Sequence, residues 1–260
     1  DKGVCAACNF TQKKAETNWD ERERMLRELC DKHRRNDGRY DCIVPGSGGK
    51  DSIYVSNLLK NDYGMHPMTV TWSPHIYTEW GRKNFDSWIH GGQDNILITP
   101  NGKIHRLLTR LAVDVLFHPF QPFIIGQKII GPLIAMKFNI PLIFYGENQA
   151  EYGNNIDDNE NPKMDEKFFS KTNNDNLILG GVPLKEIINK YNFKLNDFEP
   201  YLPLDLSEIK KKKIEQRYLG YYVKWDPQEC YYYASQNTGF RPNTERTEGS
   251  YSKYSSIDDK

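Results

Sequence analysis

Between Tyr40 and Leu59 three patterns follow one another: an apolar run at Cys42-Ile43-Val44, a glycine turn at Gly46-Ser47-Gly48-Gly49, and apolar residues at helical spacing at Ile53, Val55, Leu58 and Leu59. That succession predicts strand, loop, helix. The same alternation recurs downstream. Met68–Trp72 reads as a second strand, Glu79–His90 as a helix with Trp80, Phe85 and Trp88 as its apolar positions, and Asn95–Thr99 as a third strand. From Lys103 to Phe117 the apolar positions Ile104, Leu107, Leu108, Leu111, Ala112, Val115 and Leu116 predict a helix, which Pro119 and Pro122 break. A further helix through Phe138 leads to Ile140–Tyr145, an almost wholly apolar run with the character of a central buried strand. Strands alternating with helices predict an α/β fold, a Rossmann-like parallel sheet with helices on both faces.

The flanks are less periodic. A helix over Trp19–Leu29, capped by Asn18 or Thr17 and acidic in its first turn, precedes the first strand. Residues 154–176 are dominated by Asn, Asp, Glu and Lys and read as a mobile excursion or lid. Leu184–Tyr191 reads as a short helix, Lys210–Lys213 as a solvated helix face, and the tyrosines and Trp225 between Tyr218 and Tyr233 as an aromatic satellite core, an interface or a sugar platform. The expected organisation is therefore an N-terminal knuckle and helix (1–36), a nucleotide-binding core (37–153), the polar segment (154–176), and a C-terminal helical and aromatic segment for substrate or partner (177–260).

Composition narrows the function. The 260 residues carry 35 basic and 35 acidic side chains, so no global basic footprint points to nucleic acid. No apolar run approaches the length that spans a bilayer. Five cysteines at scattered spacings do not form the framework of a secreted disulfide domain, and a reducing cytoplasm fits best.

The chemistry concentrates in the glycine turn. Gly46, Gly48 and Gly49 let the backbone approach an anion, and the N–H groups opening the next helix point at the same place. A Walker A loop does not fit, because Val44 falls where its first glycine should stand and Asp51 follows Lys50 where Ser or Thr should. Ser47-Gly48-Gly49-Lys50-Asp51-Ser52 instead resembles the S-G-G-x-D-S signature of the PP-loop ATP-pyrophosphatase superfamily. The resemblance implies cleavage of ATP between its α and β phosphates, with an acceptor carbonyl oxygen becoming adenylated as pyrophosphate leaves. Ser47, Ser52 and the glycine amides would then donate to pyrophosphate, Lys50 would offset its charge, and Asp51 would help to hold Mg²⁺. Trp72, closing the second strand, is either an adenine-side contact or core. Gly146 would add a backbone contact to phosphate, and Glu147 and Glu151, in the turn after the apolar strand, are candidate magnesium ligands. Gln121, Gln127 and Asn148 are candidate substrate contacts, and His118 is assigned no catalytic role.

The loop, Gln121-Pro122-Phe123, the segment Gly146-Glu147-Asn148…Glu151-Tyr152-Gly153 and the distant Glu245-Arg246-Thr247-Glu248-Gly249 together resemble the N-acetyl sugar amidotransferases of pseudaminic-acid and lipopolysaccharide biosynthesis. That resemblance implies ATP-dependent conversion of an acetamido group into an acetamidino group, with Arg246 a substrate candidate. It also implies ammonia from a separate glutaminase subunit, in keeping with the lack of a convincing glutaminase nucleophile in this chain. Cys5 and Cys8 form a C-x-x-C pair able to share a Zn²⁺; completion by a second pair upstream is favoured over Cys30 with His33 or no metal. Family members extend past both ends of this sequence, so both ends are expected to be cut. Two other functions compete: a PP-loop enzyme that thiolates tRNA or makes lysidine, which calls for a basic RNA-facing surface or reactive cysteines near the loop, and a non-catalytic nucleotide-binding module.

Overall fold

In the computed structural model the described residues are 3–147, 161–164, 177–248 and 250–254. Five parallel strands form the sheet: β1 (Cys42–Pro45), β2 (Pro67–Trp72), β3 (Asp94–Ile98), β4 (Leu142–Tyr145) and β7 (Glu215–Tyr218), in the order β3-β2-β1-β4-β7. Between β4 and β7 in sequence lies a separate two-stranded hairpin, β5 (Ile178–Leu179) and β6 (Val182–Pro183). Each parallel pairing needs a crossover, and helices supply those from β1 to β2, β2 to β3 and β3 to β4: α3 (Lys50–Asn61), α4 (Glu79–His90), and α5 (Gly102–Leu116) with α6 (Gln121–Phe138).

Alternation along the central strands explains why both faces are covered. Ile43 and Ile143 point into one cluster with Val70, Leu108 and Ile134, whereas Cys42, Val44, Leu142 and Phe144 point into the other with Val55 and Leu59 of α3. The first cluster is closed by α5, α6, α7 (Leu184–Tyr191) and a 3₁₀ segment, Leu195–Tyr201. The second is closed by α3, α2 (Trp19–His33) and α9 (Pro227–Asn237). α1 (Ala6–Glu16) is tied on by the Lys14 ammonium, which donates to the Trp225 carbonyl at 2.8 Å. Asp41, 1% exposed, fixes the entry to β1 by accepting from the backbone N–H of Arg35 at 2.6 Å and of His66 at 2.7 Å.

Three differences from the sequence reading have physical causes. Gln121 begins α6, so Pro122, expected to break the chain, stands in the first turn of a helix, where a missing N–H costs nothing. The basic run Lys210–Lys213 straddles the end of α8 (Leu206–Lys211), and β7 follows at once as the sheet's fifth strand, drawn from the 177–260 segment. Of the polar segment 154–176, residues 161–164 are described; Met164 is buried, and its N–H donates to the β7 carbonyl of Gln216 at 3.0 Å. Among the described residues no helix is long and apolar enough to cross a membrane.

Candidate active site

The loop takes its shape from contacts that only glycine tolerates. Gly46 N–H still donates to the Val70 carbonyl of β2 at 2.9 Å, and a Cβ on Gly46 would lie 2.2 Å from the Ser52 Cβ. Gly48 has φ +88°, and a Cβ there would meet the Phe85 Cα of α4 at 2.7 Å. Gly49 is the N-cap of α3 and places no side chain over its first turn. The first-turn N–H groups and the positive end of the helix dipole therefore lie at the carboxyl end of β1, the setting in which an anion binds.

Charge is gathered at the same place. Lys50, with a side chain only 10% exposed, donates to both carboxylate oxygens of Asp51 at 2.6 Å. Asp51 is the acidic residue of the first turn, where the dipole favours it. The Ser52 hydroxyl donates to the Gly49 carbonyl at 3.0 Å, and Ser47 is half-buried in the loop.

β1 and β4 are neighbours, and the chain leaves them for opposite sides of the sheet, to β2 and to β7; the crevice between such strands is where open α/β sheets bind ligands. On the β4 side stand Gly146 and the half-buried Glu147. A Cβ on Gly146 would lie 2.9 Å from the Trp225 ring, and its carbonyl accepts from Gly220 N–H at 2.9 Å. The charges of Asp51, Lys50 and Glu147 all act on one thiol, Cys230 of α9. Burial pushes that thiol well up, Asp51 and Glu147 push it further and Lys50 opposes them.

Two further side chains near these groups had escaped the sequence reading. The Lys128 ammonium of α6 lies 5.2 Å from the Tyr145 ring centroid; burial lowers its pKa and the Glu147 carboxylate partly restores it. The reading had singled out its neighbour Gln127, which is exposed. Consecutive helical residues face directions about 100° apart, so a one-residue difference changes the target. The second is Tyr254, whose ring centroid is 5.5 Å from the Lys50 Nζ.

The other sequence candidates lie elsewhere. Trp72 is 4% exposed and packs edge-on against Tyr201 at 5.5 Å; a Cβ on Gly126 would come within 2.3 Å of its ring, so it is core rather than an open adenine shelf. The Gln121 side chain pins the β5–β6 hairpin, accepting from Gly180 N–H at 2.8 Å and donating to the Ile178 carbonyl at 3.3 Å. Arg246 is exposed on the C-terminal segment. Asn148 and Glu151 lie outside the described residues.

A divalent cation fits the loop better than zinc fits the N-terminus. Magnesium takes few protein carboxylates once phosphates ligate it, and Asp51 with Glu147 is a donor set of that kind. Cys5 is the N-cap of α1 and accepts from Cys8 N–H at 3.4 Å; both side chains are exposed, and Cys5 raises the Cys8 thiol pKa. Among the described residues no three of His, Cys, Asp and Glu gather as a metal site, and Cys30 belongs to the core beside Leu26. Two thiolates do not close a tetrahedral zinc centre, so the expected zinc-knuckle appendage is here a helix start.

No protein-family model matches the chain. Over 69 residues it is 32% identical to an uncharacterized protein of Methanocaldococcus jannaschii, MJ1599, a match that covers 26% of this chain and 24% of that protein's length. Among solved structures it is similar to a predicted subunit of tRNA methyltransferase from Methanocaldococcus jannaschii, with a TM-score of 0.38, 16% identity and 75% of each chain covered. It is also similar to the U34-tRNA thiolase NcsA from Methanococcus maripaludis, solved with its 4Fe–4S cluster, with a TM-score of 0.38, 11% identity, and 89% of this chain and 66% of that one covered. Likeness at that level decides nothing about function, and the glycine cradle with its lysine–carboxylate pair has to be read on its own chemistry.

Proposed function

We propose that this chain is a PP-loop enzyme that cleaves ATP between the α and β phosphates to adenylate an acceptor oxygen, and that the acceptor is the N-acetyl group of a sugar. The observation that carries the ATP reading is the loop itself: close approaches at Gly46 and Gly48 that leave no room for a side chain, a helix start capped by glycine, and a buried ammonium held on a carboxylate. The sugar reading rests on the segments at Gln121-Pro122-Phe123, Gly146-Glu147-Asn148 and Glu245–Gly249; the comparisons lend it no support.

In this mechanism the Lys50–Asp51 pair keeps a buried cation neutralised until polyphosphate arrives. The ammonium then turns to the phosphate, the stronger anion, and Asp51 and Glu147 are the carboxylates that would hold Mg²⁺. Bound there, magnesium would supply charge neutralisation on the phosphate oxygens. The amide oxygen attacks the α-phosphorus and pyrophosphate leaves toward the first-turn N–H groups of α3, which are already oriented for the charge it gains. Ammonia adds to the imidate carbon, AMP departs with the former amide oxygen, and an acetamidino group remains. The Lys128 ammonium, whose charge the Glu147 carboxylate favours, would add a second cation for the phosphates.

The ammonia is proposed to come from a separate glutaminase. The buried Cys30, Cys42 and Cys230 all have thiol pKa values raised chiefly by desolvation, the reverse of a nucleophile's setting. The same fact weighs against sulfur transfer through Cys42, the cysteine nearest the loop in sequence. The test incubates the protein with ATP, Mg²⁺ and ammonium together with either a nucleotide-linked N-acetyl sugar or bulk tRNA, and follows AMP, pyrophosphate and acceptor mass. Replacement of oxygen by NH in the sugar is expected. Modified tRNA with an unchanged sugar would transfer the reading to tRNA modification.

A further inference from the structure

The C-terminal segment returns to the phosphate loop, and its anchors are specific. Phe240, fully buried, packs with Ile53 of α3 and with Phe85 and Trp88 of α4. The next residue is fixed by a paired hydrogen bond: Arg241 N–H donates to the Asn84 side-chain oxygen at 2.8 Å, and the Asn84 amide donates to the Arg241 carbonyl at 2.9 Å. The chain then closes on itself, with Asn243 N–H donating to the Lys253 carbonyl at 2.7 Å and Thr247 N–H to the Ser252 carbonyl at 3.1 Å. This closure delivers Tyr254 to the loop. Its ring stacks on Tyr231 of α9 at 4.5 Å with 17° between planes, its hydroxyl donates to the Gln228 side-chain oxygen at 2.7 Å, and the Lys50 Nζ lies 5.5 Å from its centroid. The C-terminal segment, braced by α4 and α9, thus sets one ring beside the Lys50 ammonium.

We propose that Tyr254 is a positioning residue for Lys50: its ring face holds the ammonium beside the helix start, so that the cation meets the polyphosphate without first being searched for. A flexible four-carbon stem has many rotamers, and fixing it beforehand removes that entropy from the cost of binding. The ring suits the task because a π face attracts the cation yet cannot compete with phosphate for it. Burial raises the Tyr254 phenol pKa, so the ring remains neutral. The inference rests on the ATP reading above and adds a residue outside the signature motif.

The test is a double-mutant cycle read as affinity for Mg²⁺ and α,β-methylene-ATP by calorimetry, which requires no acceptor. Tyr254→Leu is expected to weaken binding about fivefold, the worth of a cation–π contact near 1 kcal/mol. Tyr254→Phe, which retains the ring, restores affinity to within about twofold of the unsubstituted protein. In a Lys50→Ala background Tyr254→Leu has no further effect, because the ring acts through the ammonium. An equal loss in both backgrounds, or no loss in either, overturns the proposal while leaving the ATP reading standing. Failure of the unsubstituted protein to bind the analogue overturns the ATP reading, and this inference with it. Circular dichroism of each variant separates loss of the contact from loss of the fold.

Discussion

Replacing Gly48 by alanine should damage the protein through two separable effects. The first is conformational: at φ +88° a side chain costs about 1 to 2 kcal/mol. The second is steric: the new Cβ would lie 2.7 Å from the Phe85 Cα and 3.0 Å from its nitrogen, both backbone atoms of α4, which cannot swing aside as a side-chain tip would. Overpacking of this kind costs a further 1 to 3 kcal/mol or so. Gly38→Ala isolates the first effect, since Gly38 has φ +77° and nothing within 4 Å of its would-be Cβ. Urea unfolding followed by tryptophan fluorescence measures both variants, and Trp88, whose ring lies 3.0 Å from the would-be Cβ of Gly46, reports beside the loop. The expected destabilisation is about 2 to 5 kcal/mol for Gly48→Ala against about 1 to 2 for Gly38→Ala. Equal losses for the two variants would refute the claim that the α4 backbone shapes the loop.

Asp51→Asn should abolish pyrophosphate release while the protein still melts cooperatively, because the amide retains the carboxylate's shape and loses its charge for Mg²⁺; release at the original rate would remove Asp51 from the mechanism. Asp41→Ala should cost about 1 to 3 kcal/mol in urea unfolding, since it removes the shared acceptor of the partly buried N–H groups of Arg35 and His66; a loss below about 0.5 kcal/mol would mean that water replaces the carboxylate. Burial raises the Cys30 thiol from 9.0 to about 12, so the folded state keeps a proton that the unfolded chain gives up. Its contribution to stability is complete below pH 9 and is lost as pH climbs toward 12, and Cys30→Ala should therefore show a shallower alkaline decline; parallel pH profiles would contradict this.

The central strands were legible because their burial is nearly uniform. Cys42-Ile43-Val44 and Leu142-Ile143-Phe144 are apolar on both faces, and no other element accommodates such short runs between glycine and helix. The loop was legible because glycine is informative where backbone meets backbone, as Gly48 meets Phe85. β7 was not, since Glu215-Gln216-Arg217-Tyr218 looks like the tail of a charged helix: its inward residues are the buried Gln216 and Tyr218, and its charges are partly spent on each other, with Arg217 bonded to Glu215. Lys128 was hidden in an amphipathically weak, glycine-bearing helix, where one cation carries no pattern. Tyr254 reaches Lys50 across about two hundred positions of sequence, a distance over which periodicity conveys nothing. The assignment of Gln121 to substrate shows the opposite failure, a polar residue between apolar ones that the fold uses as a hairpin anchor.

The central claim is that an acceptor oxygen attacks the α-phosphorus, and oxygen labelling tests it most directly. A nucleotide-linked sugar whose N-acetyl carbonyl carries ¹⁸O would be incubated with the protein, ATP, Mg²⁺ and ammonium, and the nucleotide products examined by ³¹P NMR. The account predicts AMP bearing the label, through the isotope shift of its phosphorus signal, together with unlabelled pyrophosphate. Unlabelled AMP, or ADP with inorganic phosphate in its place, would contradict it.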